Sequence, residues 1–172
     1  KSGEIWDNFA IEFQYPNGVR MHSYCGQIKR GWPSDSEAVH CATGMAEFRD
    51  GNPNYIKSKD GKLWKPQKAA ADNGYVNEHL DLIQAIINDK PLNEAAQVAD
   101  STLTAIMGRE AAYSGNEVDW DTALQSTFAY APEALYSNCA SMEWGPFRTL
   151  KPPMPSQHDA YKNPPVIPVA KA

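Results

Sequence analysis

The sequence predicts an α+β fold: a mostly antiparallel open sheet with two main helices packed on one of its faces. Two observations carry this. Residues 4–64 show strand-like alternation broken by short turns, and residues 73–125 switch to helical periodicity. Strands come first and helices later, which argues against a doubly wound parallel sheet.

Residues 4–30 read as a β-hairpin. Ile5, Phe9, Ile11, Phe13 and Tyr15 alternate with Trp6, Asn8, Ala10, Glu12 and Gln14 around a Pro16-Asn17-Gly18 turn. Loop length sets register. A two-residue Asn-Gly loop pairs Phe13 with His22 and Ile11 with Tyr24. A three-residue loop pairs Phe13 with Met21 and Phe9 with Cys25. The second keeps Val19, Met21 and Cys25 on the apolar face with Ile11, so it is preferred. It gathers Glu12, Gln14, Arg20, His22 and Tyr24 on the opposite face, open to solvent, an interface or a substrate. Next, residues 31–36 form a loop. Residues 37–43 form a strand stopped by Gly44, and residues 45–49 another. Asp50-Gly51-Asn52-Pro53 turns the chain. Residues 55–57 and 62–64 make a small hairpin around Lys59-Asp60-Gly61.

The first helix starts at Asp72 or Asn73, either of which can accept from an orphan amide. Val76, Leu80, Ile83 and Ile87 recur at helical spacing, with Glu78, Asp81 and Gln84 on the other side. Asn88-Asp89-Lys90-Pro91 ends it, because a residue before proline leaves the α region. Asn93 caps a second helix striped by Ala99, Leu103, Ile106 and Met107 and widened by Ala95 and Val98. Gly115 stops it in the left-handed conformation. Asp119 caps a short third helix from Trp120 to about Gln125. Beyond residue 126 the regular signal fades. Residues 130–135 read as a helical turn and 141–147 as an extended arm with aromatic anchors. Pro152, Pro153, Pro155, Pro164, Pro165 and Pro168 make 151–172 an extended tail, more simply a strap than a recognition motif.

Composition removes several function classes. With 172 residues the chain can bury a core, and its net charge of −5 and pI near 5.3 give no nucleic-acid footprint. No apolar run is long enough to span a membrane. Cys25, Cys41 and Cys139 have no metal-ligand spacing and read as free thiols, two of them in strands and inclined to burial. No metal site is expected. Dinucleotide, P-loop, zincin and hydrolase-elbow motifs are all missing.

Asn93-Glu94-Ala95, Ser101 through Arg109, Ala112-Tyr113-Ser114-Gly115, Val118-Asp119-Trp120 and the upstream Glu78-His79 together resemble the C-terminal domain of the Gfo/Idh/MocA oxidoreductases. The likeness spans roughly residues 4–125. It implies a dihydrodipicolinate-reductase-like C-terminal domain over 1–125 that binds substrate and builds an oligomer, with 126–172 as its Pro-rich tail. It further implies an N-terminal Rossmann domain as partner, holding NAD or NADP, so that no cofactor is expected on these residues. A sugar-like substrate (a sugar, polyol or glycoside) and a homo-oligomer through the open sheet face follow from the same likeness. The family's Glu-Lys-Pro motif and its early Asp…His pair are not here; Lys90-Pro91 follows Asp89 and lies between helices. The chain alone is therefore expected to carry no catalytic residue and no dehydrogenase activity. It reads as a C-terminal portion lacking the cofactor domain and the first strand of its own sheet, so export cannot be read from it. The rivals are a domain of an NAD-dependent redox glycosidase and a non-enzymatic protein-binding scaffold.

His22, Tyr24, Gln27 and His79 are the candidate substrate-binding residues. His22 faces Glu12 in the preferred register, and a carboxylate neighbour raises a histidine pKa; a plain cross-strand polar pair is the simpler reading. Gln27 falls where the family pattern commonly has Arg-Gln; here the pair is Gly26-Gln27, which puts an arginine contact in doubt. His79, on the inner edge of the first helix, is more simply a packing histidine. Glu78 reads as a solvated or capping residue of the first turn, and Arg109 as a complement to the second helix's dipole. His40 beside Cys41 does not make a zinc site.

Overall fold

The computed structural model describes residues 6–49, 54–66, 73–128, Asp159 and Tyr161. The described residues form antiparallel sheets and three helices, an α+β arrangement, and the chain divides into two compact units. One unit holds the strands β1 (Asn8–Gln14) and β2 (Arg20–Gly26) and the helices α2 (Ala95–Ser114) and α3 (Trp120–Gln125). The other holds β3 (Ser36–Cys41), β4 (Gly44–Arg49), β5 (Tyr55–Ser58), β6 (Leu63–Trp64) and α1 (Gly74–Ile87).

In the first unit the hairpin takes the three-residue turn. Phe13 lies opposite Met21 and Phe9 opposite Cys25. Tyr15 N–H donates to the Val19 carbonyl across Pro16-Asn17-Gly18, and Gly18 adopts φ 80°. The Asn17 side chain accepts from Val19 N–H at 3.1 Å, which locks the turn. Phe9, Ile11 and Phe13 alternate inward, and α2 rests on β1. The contact is closest at Gly108. A Cβ there would stand 2.7 Å from Phe13 Cζ and 3.2 Å from Ile11 Cδ1.

The core of this unit lies under the C-terminal half of α2, where Gly108, Glu110, Tyr113 and Ser114 are buried, with Ala123 of α3. Trp6, Phe9 and Tyr113 stack their rings, with Trp6 and Tyr113 centroids 4.8 Å apart. The expected stripe is therefore correct in phase and too long. Leu103 and Met107 are half-buried, whereas Ala95, Val98, Ala99 and Ile106 stay exposed. A seven-residue strand spans only about 23 Å, against about 30 Å for a twenty-residue helix. The N-cap is Glu94, one residue after Asn93, and its side chain makes no capping bond. Gly115 closes the helix at φ 70°, and Asp119 caps α3 by accepting from Thr122 N–H at 2.9 Å.

The second unit carries a sheet in the order β3-β4-β5-β6. Gly44 opens β4 instead of ending β3. It pairs with Cys41 across a two-residue turn, and a Cβ on it would meet the Lys57 carbonyl oxygen at 2.5 Å. The small hairpin β5–β6 forms around Gly61 at φ 87°. α1 is capped by Asn73, which accepts from Tyr75 N–H at 3.0 Å. It ends in a Schellman motif: Asp89 turns left-handed at φ 51°, Asp89 N–H reaches the Ile86 carbonyl and Lys90 N–H the Ala85 carbonyl. The sheet is thus in two pieces, hairpin and four-stranded, rather than one open sheet. Among the described residues α1 touches none of the strands of its own unit. The 50–53 turn, residues 130–135, the 141–147 arm, Cys139 and all of the proline tail except Asp159 and Tyr161 lie outside the described residues.

Candidate functional site

Strand alternation puts Glu12, His22 and Tyr24 on one face of the hairpin, with Arg20 beside them. The Glu12 carboxylate is shared. Arg20 Nη1 donates to it at 2.7 Å, and His22 Nδ1 lies 3.6 Å from its other oxygen. All three side chains are about half exposed, and Tyr24 is 78 % exposed. Water screens such pairs, so they hold side-chain orientation more than they add stability. Gln27 lies just past β2, where its N–H donates to the Asp7 carbonyl at 2.7 Å and extends the ladder by one rung. His22 and Tyr24 thus share a face, with Gln27 beyond the end of their strand.

His79 belongs to α1 in the second unit. Its side chain is 74 % exposed, with Nε2 3.9 Å from Glu78. Leu80 and Ile83 beside it are also exposed, so the packing-histidine reading does not hold. Glu78 makes no cap, since the first turn of α1 carries no acidic residue.

Two clusters went unread in the sequence. The first is on the four-stranded sheet. Glu47 lies opposite Tyr55 and accepts a short hydrogen bond from its hydroxyl; Arg49 pairs with the same carboxylate. The Tyr55 hydroxyl, then Arg49, hold the Glu47 carboxyl below the ordinary carboxylate range, and Glu47 in turn pushes the Tyr55 phenol up. The Glu-x-Arg spacing on an alternating strand was the available signal. The second cluster is buried. Glu110 is 2 % exposed, and Arg109 donates to its Oε1 from both Nε (2.9 Å) and Nη2 (2.7 Å). Arg109 is thus committed to Glu110 and does not complement the helix end. Burial, then the Glu110 charge, raises the Tyr161 phenol. The Tyr113 hydroxyl accepts from Trp6 N–H at 3.2 Å, and Asn116 donates to Asp159 at 3.1 Å. These contacts tie Trp6 to α2 and Asp159 to the loop that follows α2.

No protein-family model, curated protein or solved structure matches this chain. The site is therefore read on its own geometry. Among the described residues no group of three His, Cys, Asp or Glu side chains could hold a metal, and no helix is long and apolar enough to cross a membrane. Cys25 and Cys41 are free and exposed, contrary to the burial expected of them. The open hollow beside α2 is lined, among described residues, by that helix alone, from Glu94 to Ala105.

The four-stranded sheet also carries an apolar row. The registers align Val39, Ala46, Ile56 and Trp64 in one row across all four strands, with Phe48, Cys41 and the charged Glu37 on the same face. Val39, Ile56 and Trp64 are each about half exposed. The opposite face carries His40, Glu47, Arg49, Tyr55 and Lys57 together with Ala38, Met45 and Leu63. Apolar residues thus dominate one face of this sheet and polar residues the other.

Proposed function

We propose that this chain is the substrate-side and oligomer-building part of an NAD(P)-dependent oxidoreductase acting on a sugar, polyol or glycoside. Nicotinamide binding and hydride transfer belong to a Rossmann domain outside these residues. The observation that carries the assembly half of this reading is the uncovered row Val39-Ala46-Ile56-Trp64. The resemblance of the helical residues to the Gfo/Idh/MocA C-terminal domain supports the oxidoreductase half. In this reading the apolar sheet face pairs copies of the chain, and the polar hairpin face with His22 and Tyr24 meets substrate or the cofactor domain.

The test has two parts. Light scattering after size exclusion gives the mass of the wild type and of Ile56→Glu, which sets a carboxylate in the middle of the row. A smaller mass for the variant, with an unchanged far-ultraviolet spectrum, is the expected result; an equal mass removes the sheet face as an assembly surface. The complete gene product is then mixed with NAD+ or NADP+ and a panel of sugars and polyols, and nicotinamide reduction is followed by absorbance. Turnover supports the oxidoreductase reading. Glycoside cleavage without net nicotinamide reduction selects a redox glycosidase, and no activity of either kind leaves a scaffold.

A further inference from the structure

We propose that the free edge of β2 joins two copies of this chain, β2 to β2 and antiparallel, with the two-fold axis at Ser23. The hairpin ladder fixes which backbone groups are left over. Tyr15 N–H donates to the Val19 carbonyl, and Gln27 N–H to the Asp7 carbonyl. Hydrogen-bonded pairs alternate along an antiparallel ladder, so Met21, Ser23 and Cys25 commit their amides and carbonyls to β1. Arg20, His22, Tyr24 and Gly26 turn theirs outward, and among the described residues no backbone or side chain pairs with those groups. Natural sheets blunt such an edge with proline, a bulge, a free charge or a covering helix. β2 has none of these. It has no proline, its pairing with β1 runs without a bulge, and α2 touches β1 but not β2. Its one arginine, Arg20, is turned onto Glu12.

Sterics and register select the occupant. A two-fold axis between antiparallel strands stands perpendicular to the sheet, so both α2 helices fall on one face. Pairing β1 with β1 would set the strands ~4.8 Å apart, whereas the helices resting on them need about 8–10 Å. Through β2, the two β1 strands stand three spacings apart, about 14 Å, and both helices fit. Joining β2 to β1 of the next copy leaves an open edge at every step and never closes. With the axis at Ser23 the whole strand pairs: Arg20 meets Gly26 of the second copy, Met21 meets Cys25, His22 meets Tyr24 and Ser23 meets Ser23. An axis at His22 or Tyr24 shortens the ladder and sets two identical side chains, His22 or Tyr24, against each other. The Ser23 axis also holds the two Arg20 residues at opposite ends of the ladder, about 20 Å apart. On the inner face, Met21, 38 % exposed in the single chain, gains the second copy's Cys25 as a neighbour. On the polar face, the second copy's Tyr24 comes beside His22, so the candidate site there is completed by two chains. The pairing rests on the hairpin alone, not on the oxidoreductase reading or the four-stranded sheet.

The experiment is disulfide trapping on the 172-residue chain with Cys25, Cys41 and Cys139 each replaced by serine. At the axis the two Ser23 residues form a non-hydrogen-bonded pair, with Cα atoms about 4.5 Å apart, which a disulfide can span. Ser23→Cys is expected to give mostly covalent dimer under a mild oxidant. Arg20→Cys, whose two thiols stand ~20 Å apart in the pair, is expected to run as a monomer on a denaturing gel. No dimer from Ser23→Cys, or equal trapping at both positions, overturns the proposal. Light scattering across a concentration series then compares Ile56→Glu with Ile56→Glu/Tyr24→Pro, so that the four-stranded sheet's row is disabled in both. Proline is tolerated on an edge strand, and here it deletes an amide that only the pair uses. The mass is expected to fall from twice 19.0 kDa to 19.0 kDa with an unchanged far-ultraviolet spectrum. A mass that Tyr24→Pro leaves unchanged, or one that climbs steadily with concentration as a β2-to-β1 chain of copies would, overturns the pairing. Should Tyr24→Pro fail to fold, the trapping result decides.

Discussion

Gly108 gives the sharpest test of how α2 meets the hairpin. Replacing it with alanine has two opposed effects. In an exposed helix interior the change gains about 1 kcal/mol of helix propensity. Here the new Cβ would lie 2.7 Å from Phe13 Cζ and 3.2 Å from Ile11 Cδ1, against an ordinary carbon–carbon contact of about 3.5–4.0 Å. The phenyl ring must withdraw by roughly 1 Å, and overpacking of this kind costs ~1–3 kcal/mol. Steric cost wins, with a net loss of about 1 kcal/mol. Urea unfolding followed by far-ultraviolet circular dichroism should show a midpoint lower by about 0.5 M with an unchanged slope. Phe13→Leu removes the ring tip and should also destabilise when made alone. Combined with Gly108→Ala it should cost less than the sum, because the methyl occupies the vacated space; the coupling should approach 1 kcal/mol. A stabilised Gly108→Ala, or single effects that add within about 0.5 kcal/mol, would mean that α2 does not rest on Phe13 at this point.

Tyr113→Phe should cost about 1 kcal/mol, since it deletes the acceptor of the Trp6 N–H, and Tyr113→Ala about 3–5 kcal/mol through the lost ring stack; both are read by urea unfolding. Asp119 has its carboxyl held low by the Thr122 hydroxyl and amide, so its cap is at full strength above pH ~4 and fails as pH falls through the lowered value. Asp119→Asn keeps an acceptor and should remove that acid limb from the stability–pH curve. The Glu47–Tyr55 bond stabilises the sheet between two limits: the lowered carboxyl loses it on acidification below pH ~4, and the raised phenol loses it as pH rises above about 10. In Tyr55→Phe the Glu47 carboxyl should titrate at higher pH in a carbon-detected NMR titration; an unmoved midpoint would show that the hydroxyl is not its main stabiliser. Cys25 and Cys41 should both react with a thiol reagent in native buffer, but Cys41, on the apolar sheet face, should react more slowly in the assembled wild type than in Ile56→Glu. Equal rates in the two chains would place the interface elsewhere.

Much of the local structure was legible because its causes are local. The hairpin register followed from one constraint, that Met21 and Cys25 share a face with Ile11. The α1 start at Asn73, the Gly115 stop and the Asp119 cap each follow from a side chain within a few residues. What failed depends on contacts distant in sequence. On a helical wheel Glu110 falls among Leu103, Ile106 and Met107, where its charge argued against burial, yet it is the most buried large side chain described. Gly108 reads as a weak helix position; an interior glycine at a cost of about 1 kcal/mol was nevertheless a hint of close approach. The α1 stripe was read correctly as apolar, but periodicity marks a face that wants a partner without saying which partner it has. The polar face with His22 and Tyr24 was legible from register alone, whereas the Glu47–Arg49–Tyr55 cluster needed the pairing of β4 with β5.

The unit containing α2 has a consequence for the order in which the chain folds. Its contacts bring together residues from both sides of a long interruption: Trp6 meets Tyr113 across a separation of 107 positions, and residues 30–93 form the other unit in between. Closing so long a loop costs entropy before any contact rewards it. The interrupting unit, by contrast, is built from neighbours in sequence, β3 to β6 by successive turns and α1 by its own caps. Once it is folded, fewer loose residues separate the hairpin from α2. The inserted unit is then expected to form first, with the Trp6–Phe9–Tyr113 stack closing later, when the hairpin and α2 find each other.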